Sequence, residues 1–550
     1  MNNSEDVKQL DLYDIQGNIC KGYGRYGFPK ARYCFLNFQQ SSSAQAFLLQ
    51  LIDKITTSEV WPVSDNDDHH SIKPSTTLNI GFTYSGLAKL ELPERSLKGF
   101  PVDFTMGMKA RSSLLGDTGI SSPEHWDAIW QGDQVHAWVA INGRDQDAIE
   151  LEYNNLEDLV SQYADGVQLL SGIKGPNNAT LNYQDASAVF ENDKPTAKEH
   201  FGFTDGIGNP YFDGCGNSRS RIPGRGKLMR DDSWQPLATG EFILGHVDEA
   251  REYPLAPEPK LLARNGTFMV YRKLHENVDT FNGYIDELAK DFDGSRDLLM
   301  AKMSGRWPDN GAPLTLAATD GEKACLDARM IALEQRISEG DISASAERTA
   351  LRKQWLDFTF NDDKSGSKCP IGAHIRRTNT RGSLETEKEA FHRPGALVDR
   401  RRLMRRGLPY GGINEAISDE AEQGIIFMSI GASIERQFEF VQQQWVNYSN
   451  DFKLGNDKDP LIGSHNGKLS DKHIIQANCP NVDSHDSANS NAANSDSHRS
   501  ANHNLDSHDS KPPFFCAQMP RFVETRGGDY FFIPSISALR MIAERMIDPS

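Results

Sequence analysis

Twice along this chain a strand-length apolar run is followed at once by apolar residues at helical spacing, and no other feature restricts the fold as strongly. Residues 32–38 alternate and are rich in aromatics, the pattern of a strand, and Ala44, Phe47, Leu48 and Leu51 then fall at i, i+3, i+4 and i+7 on one helix face. Residues 77–83 read as a second strand with helix-compatible Leu87-Ala88-Lys89-Leu90 behind it, and 135–141 as a third. Beyond position 200 the same grammar returns. Residues 267–272 read as a strand, Val278, Phe281, Ile285 and Leu288 mark a helix face, and 425–430 is a short buried strand followed by a helix-like stretch over 435–445. Residues 530–533 form a last strand before a helical segment at 537–546. Strand–helix–strand units in both halves predict an α+β fold, a duplicated sandwich rather than a parallel doubly wound sheet.

At 550 residues the chain is longer than one average domain, and two are expected. Two stretches read as insertions. Residues 320–356 are charged and alanine-rich, which predicts a surface helical hairpin. Residues 478–513 repeat Asp-Ser-His three times among Asn, Ser and Ala, with Val482 and Leu505 as the large aliphatics, too little apolar surface to offset ordering. That segment is expected to be a disordered loop; its histidines would bind metal only weakly, and a polar low-complexity insert is the preferred reading.

Net charge −18 and a pI of about 5.3 argue against nucleic acid or an anionic membrane as partner. No apolar run approaches the roughly 18 residues of a membrane helix, and the N-terminus has no targeting pattern. Seven scattered cysteines without CxxC spacing suit reduced thiols, so a cytoplasmic location is expected.

Three short segments carry chemistry. Residues 202–210 stack three glycines, an Asn-Pro and Asp205, a backbone that can approach a ligand closely with the acid on a turn. Taken alone, Asp205 would be a brace for that turn. His374 follows Ile371 and precedes Ile375, Arg376 and Arg377; a lone histidine is more often structural, yet haem iron accepts a neutral imidazole and the adjacent arginines suit haem propionates. Arg401, Arg402, Arg405 and Arg406 form a basic cluster that is either a solvated face or an anion site. Gly22-Tyr23-Gly24-Arg25-Tyr26-Gly27 matches GxGxxG, but without a preceding strand or a following helix it reads as a loop. CxxCH, HExxH and P-loop patterns are absent, so any haem is non-covalent.

Together these segments resemble the dye-decolorising peroxidase family, in particular its longer-chain subgroups. The GxxDG hallmark matches Gly202-Phe203-Thr204-Asp205-Gly206, the proximal histidine matches His374, and the distal arginine matches Arg405 in Leu-Met-Arg-Arg-Gly, preferred over Arg406 because it directly follows the apolar pair. Asp14-Ile15-Gln16-Gly17-Asn18, residues 435–442, Asp459-Pro460-Leu461-Ile462-Gly463 and residues 526–532 agree as well, so the likeness spans nearly the whole chain. The resemblance implies two ferredoxin-like domains with antiparallel sheets in a dimeric α+β barrel-like arrangement, residues 1–195 and 196–550, the second holding one haem b. It implies His374 as iron ligand, Asp205 and Arg405 as distal catalytic pair, and Ile207, Gly208, Arg405, Ile425 and Phe427 as haem contacts; on a strand, i and i+2 would point Ile425 and Phe427 one way.

The expected reaction is reduction of hydrogen peroxide to water through a ferryl haem, with Asp205 as base and Arg405 stabilising charge, and electrons from bulky aromatic reductants such as dyes and phenols. A carboxylate behind His374, Glu435 or Glu439, would favour that chemistry. Dyes too large for the pocket would deliver electrons through a surface aromatic, for which Tyr410 and Trp445 are candidates. The alternatives are removal of iron from haem and a non-catalytic haem carrier or sensor, which needs neither distal residue. A homo-oligomer is compatible with all of these.

Overall fold

Buried apolar residues at the expected periods build one antiparallel sheet of ten strands. The computed structural model describes residues 10–63, 71–215, 222–381, 384, 395–412, 418–476 and 512–547. The loop expected over 478–513 therefore lies outside the described residues except for its last two positions. In chain order the strands are β1 (Lys30–Phe38), β2 (Thr76–Phe82), β3 (Ala137–Gly143), β4 (Val167–Leu169) and β5 (Tyr183–Ser187). The second half supplies β6 (Thr267–Glu276), β7 (Met404–Arg405), β8 (Pro409–Tyr410), β9 (Gly424–Gly431) and β10 (Val523–Ile533).

Their order across the sheet is β7-β9-β6-β10-β2-β3-β1-β4, with β8 on β9 and β5 on β1. With the off-path strands β5 and β8 left out, each half runs second-third-first-fourth in its own chain order. Helices α1 (Ser41–Ile52) and α2 (Gln146–Gln162) cross over after β1 and β3, and α3 (Val278–Leu288) follows β6. After β9 the crossover is the helical stretch Glu435–Glu439 and Val441–Val446, so the same βαββαβ plan is laid down twice. The halves meet where β10 pairs β2 at Phe532 and Phe82.

Aromatic contacts show that the sheet curls on itself. Tyr33 and Phe35 of β1 meet Tyr271 of β6 edge-on at 5.9 and 5.3 Å, although three strands separate β1 from β6 in the sheet order. Each such pair adds about 0.5–1.5 kcal/mol beyond simple burial. The barrel-like expectation holds. On β1, Arg32 is 2% exposed and is neutralised by Glu150 and Asp185 at 2.7–2.9 Å, which offsets the cost of sinking a guanidinium there.

The expected hairpin forms as α4 (Asp320–Ser338) and α5 (Ile342–Gln354), capped by Thr319 and Asp341 and laced by exposed Arg–Glu pairs worth little individually. Leu326, Leu333, Ala344 and Leu351 seat it on the body of the second half. The 22–27 glycine motif lies in a loop, as expected.

Candidate active site

One cavity, lined mainly by the second half with Gly116, Asp117 and Ser121 from the first, gathers the residues read from the sequence. Asp205, Ile207, Gly208, His374, Arg405, Ile425 and Phe427 all line it. The sheet supplies its floor by simple alternation. Arg272, Leu274 and Glu276 of β6 lie at i, i+2 and i+4; Leu274 is in register with Ile425 of β9 and Thr525 of β10, and Arg272 with Phe427. Every one of these lines the cavity.

Asp205 is set by the glycine turn. Gly206 and Gly208 adopt φ of +77° and +84°, and a Cβ at 208 would fall 2.6 Å from the Asn379 amide, so side chains are excluded at both places. Asn209 then locks the turn to β7: its Oδ1 accepts from the Arg405 N–H at 3.1 Å and its Nδ2 donates to the Arg405 carbonyl at 3.4 Å. Backbone and side chain agree, because the Arg405 guanidinium donates to the Asp205 carboxylate. Asp205 lines the cavity and keeps part of its carboxylate accessible. Burial there works against its charge, but Arg405, the Gly206 N–H and His374 together outweigh it and hold the carboxyl below the ordinary carboxylate range. Arg406 instead donates to the carbonyls of Asn18 and Ile19, well away from Asp205.

His374 opens the short helix α6 (His374–Thr378). Its Nδ1 lies 2.9 Å from Asp459 Oδ2, and Asp459 Oδ1 accepts the N–H groups of Leu461 and Ile462 at 2.9 and 3.0 Å. Burial would raise the Asp459 carboxyl, yet His374, Arg377 and these donors keep it at about 2. A carboxylate so held fixes the proton on Nδ1 and leaves the Nε2 lone pair free for the cavity.

Three expectations are corrected here. Glu439 is engaged by Arg111 and by Tyr530 Oη at 2.8 Å, and Glu435 is exposed, so neither backs His374; Asp459 does. Arg376 and Arg377 do not line the cavity. They are buried and tie the 363–372 segment and the end of the helical stretch together, through the carbonyls of Cys369 and Asp363 and of Gly372 and Trp445 respectively. Tyr410 and Trp445 are 2% and 3% exposed, so neither is itself a surface site for electron exchange.

The cavity cations are Arg272, Arg306, Arg405 and Arg521. Arg306 donates to the carbonyls of Gly311 and Trp355 at 2.6 and 2.7 Å without a carboxylate partner among the described residues, and burial pushes it down to about 9. Its Nε and the Nη1 of Arg272 are buried without a partner, positions that a ligand's carboxylates would fill. Among the described residues no group of three His, Cys, Asp or Glu could hold a bare metal ion. Iron at His374 must therefore bring its own remaining ligands. An apolar slot with one imidazole, an Arg306 guanidinium that has no carboxylate partner among the described residues, and a spare Arg272 Nη1 fits a haem with two propionates.

The helical stretch that forms the wall with Phe438, Val441, Gln442 and Val446 is wound wide, with Glu439 N bonded to the Ile434 carbonyl and Asn447 N to that of Gln442. Such i→i+5 turns are frequent where a ligand must be accommodated. No described helix is long and apolar enough to cross a membrane, and the six described cysteines are unpaired.

Residues 14–176 match the family model described as "DyP dimeric alpha+beta barrel domain". Peroxidase 2 of Mycetinis scorodonius is 27% identical over 542 residues, 96% of this chain and 87% of that protein. Multifunctional dye peroxidase DyP2 of an Amycolatopsis species is 26% identical, covering 96% of both. The crystal structure of a fungal DyP-type peroxidase from Auricularia auricula-judae superposes with a TM-score of 0.67 at 22% identity, over 97% of this chain and 99% of that one. The barrel domain is matched over residues 14–176, curated dye-decolorizing peroxidases align with the chain along almost its whole length, and the fold is that of a DyP-type peroxidase.

Proposed function

We propose that the protein is a haem peroxidase that reduces hydrogen peroxide to water with electrons from bulky aromatic compounds such as dyes and phenols. The observation that carries this reading is the Asp205–Arg405 pair in the same cavity as an imidazole backed by Asp459. A carrier would need only the imidazole. Haem b, held non-covalently by His374 with Arg272 and Arg306 for its propionates, would supply an iron that takes up a peroxide oxygen and stores two oxidising equivalents. Asp205, a carboxylate at working pH, takes the proton of the nearer peroxide oxygen and hands it to the farther one, which leaves as water. Arg405 stabilises the negative charge that develops on the departing oxygen. Ile207, Ile425 and Phe427 keep this space apolar and narrow, so large reductants give up electrons from outside it. Residues 196–550 would form the haem-binding unit and residues 1–195 the companion barrel half.

The test is the absorption spectrum of the haem-loaded protein before and after one equivalent of peroxide, followed by an aromatic reductant. The Soret band is expected to shift with peroxide and to return with the reductant. An unchanged band is the result for a carrier.

Asp459→Asn keeps the shape behind His374 but removes the charge that fixes its tautomer. Haem affinity is expected to fall roughly 10- to 100-fold, measured by titration of the haem-free protein. An unchanged affinity would show that Asp459 does not act on the ligand.

A further inference from the structure

Two carboxyls in the cavity wall, near Asp205, take no part in the peroxide step. Glu199 accepts the N–H groups of Phe201 at 2.8 Å and Phe203 at 2.6 Å, and so braces the turn that presents Asp205. Glu276 ends β6 on the face it shares with Arg272 and Leu274, and its Oε2 is buried without a partner. Glu199 and Glu276 are 8% and 3% exposed, line the cavity together, and lie within hydrogen-bonding reach of each other. Two carboxylates cannot hold that contact, so one of them carries a proton.

The groups that face the pair are Asp205 on the turn, His200 beside Glu199 with its Nε2 at 2.8 Å from the Tyr410 carbonyl, Tyr410 itself on β8, and Arg272 on β6, which is engaged by Asp117. No cation forms an ion pair with either glutamate among the described residues. Burial pushes Glu199 up to about 7, and burial together with the like charge of Glu199 raises Glu276 well above the carboxylate range.

We propose that Glu199 and Glu276 form a proton-sharing pair that relays protons to Asp205 during turnover. The inference rests on the peroxidase reading, and the overall reaction shows where it is needed. Reduction of H2O2 by two molecules of a reductant AH gives two waters and two A radicals. The first water takes both its protons from the peroxide itself, through Asp205. The second oxygen leaves as water only after two electrons and two protons arrive. Each AH releases one of each, but where it stays outside the cavity its proton is released outside too. The pair gives its proton to the Asp205 carboxylate, Asp205 passes it to the oxygen, and solvent refills the pair, once for each electron.

Two measurements on the haem-loaded protein decide the matter. Infrared difference titration should show the carbonyl stretch of a protonated carboxyl that is present at neutral pH in the wild type and lost in Glu276→Gln, whose amide keeps the shape and the contact with Glu199. Stopped-flow mixing should show the peroxide step in this variant within about twofold of wild type, with the return to the resting state slowed roughly tenfold or more at neutral pH. That slowing should shrink in acid, where solvent protons are abundant. Glu199→Gln provides a second variant should the first not fold. Absence of the band in the wild type, or a return step unchanged in both variants, overturns the relay. A wild type that shows the band but no response to peroxide overturns the peroxidase reading, and the relay with it, while leaving the shared proton in place.

Discussion

In His374→Ala the polypeptide is expected to fold and to lose its haem. Removing the imidazole costs Asp459 one hydrogen bond, worth about 0.5–1.5 kcal/mol net, while Leu461 and Ile462 still donate to the other carboxylate oxygen. A loss of that size is small against the roughly 5–15 kcal/mol that holds a domain together. For the haem the effect is of another order, because among the described residues His374 is the one histidine that lines the cavity. Far-UV circular dichroism should match the wild type while the Soret band is absent after purification. Free imidazole, small enough to occupy the vacated space beside Asp459, should restore haem retention in part. A variant that keeps full haem with an unaltered Soret band would show that the iron ligand has been misassigned.

The parts of this architecture that were readable in the sequence are those fixed by local periodicity or by backbone demand. The aromatic strand β1, the Val278–Leu288 helix and the short strand β9 follow from apolar spacing, and the turn around Asp205 follows from glycines at positions that need positive φ. Ile425 and Phe427 do share the cavity side, as strand geometry requires. What escaped was set by rotation and by long-range register. Arg376 and Arg377 sit next to His374 in sequence, but at roughly 100° per residue they turn away from it and into the fold. Two cavity cations that carried no signal, Arg272 and Arg306, lie about a hundred and about seventy residues before His374, and alternation along β6 becomes informative only once the floor strand is known. Asp459 stands within the family-like segment Asp459-Pro460-Leu461-Ile462-Gly463. Choosing it over Glu435 and Glu439 required knowing that the helical stretch turns those two towards solvent and towards Arg111. Glu199 and Glu276 carried no local signal at all, since a carboxyl pair separated by this much chain exists only in the folded molecule.

Asp205→Asn and Arg405→Leu are each expected to slow the step with peroxide by about a hundredfold or more, the scale on which a positioned base or a fixed charge contributes. Their pH dependence distinguishes the two roles. In the wild type burial would raise the Asp205 carboxyl, but Arg405, with help from the Gly206 N–H and His374, holds it below the ordinary aspartate value of 3.8. A base with a depressed value stays ionised as pH falls, so the rate of this step should be level from neutral pH through pH 5 and decline only below 3.8. The same sign applies to stability: the contribution of the ion pair is present above the unfolded-state value and is lost as pH falls through the folded one. Removing the guanidinium takes away the main charge that opposes burial and leaves only the Gly206 N–H and His374 against it, so the carboxyl rises. In Arg405→Leu the acid limb should therefore move to higher pH, in addition to the loss of rate, whereas Asp205→Asn should have no acid limb from this group at all. Stopped-flow rates across the pH range measure both effects. If neither variant slows the step by even tenfold, about 1.4 kcal/mol of barrier, the pair does not serve peroxide. If the acid limb stays in place without Arg405, the charge that depresses Asp205 comes from elsewhere in the cavity.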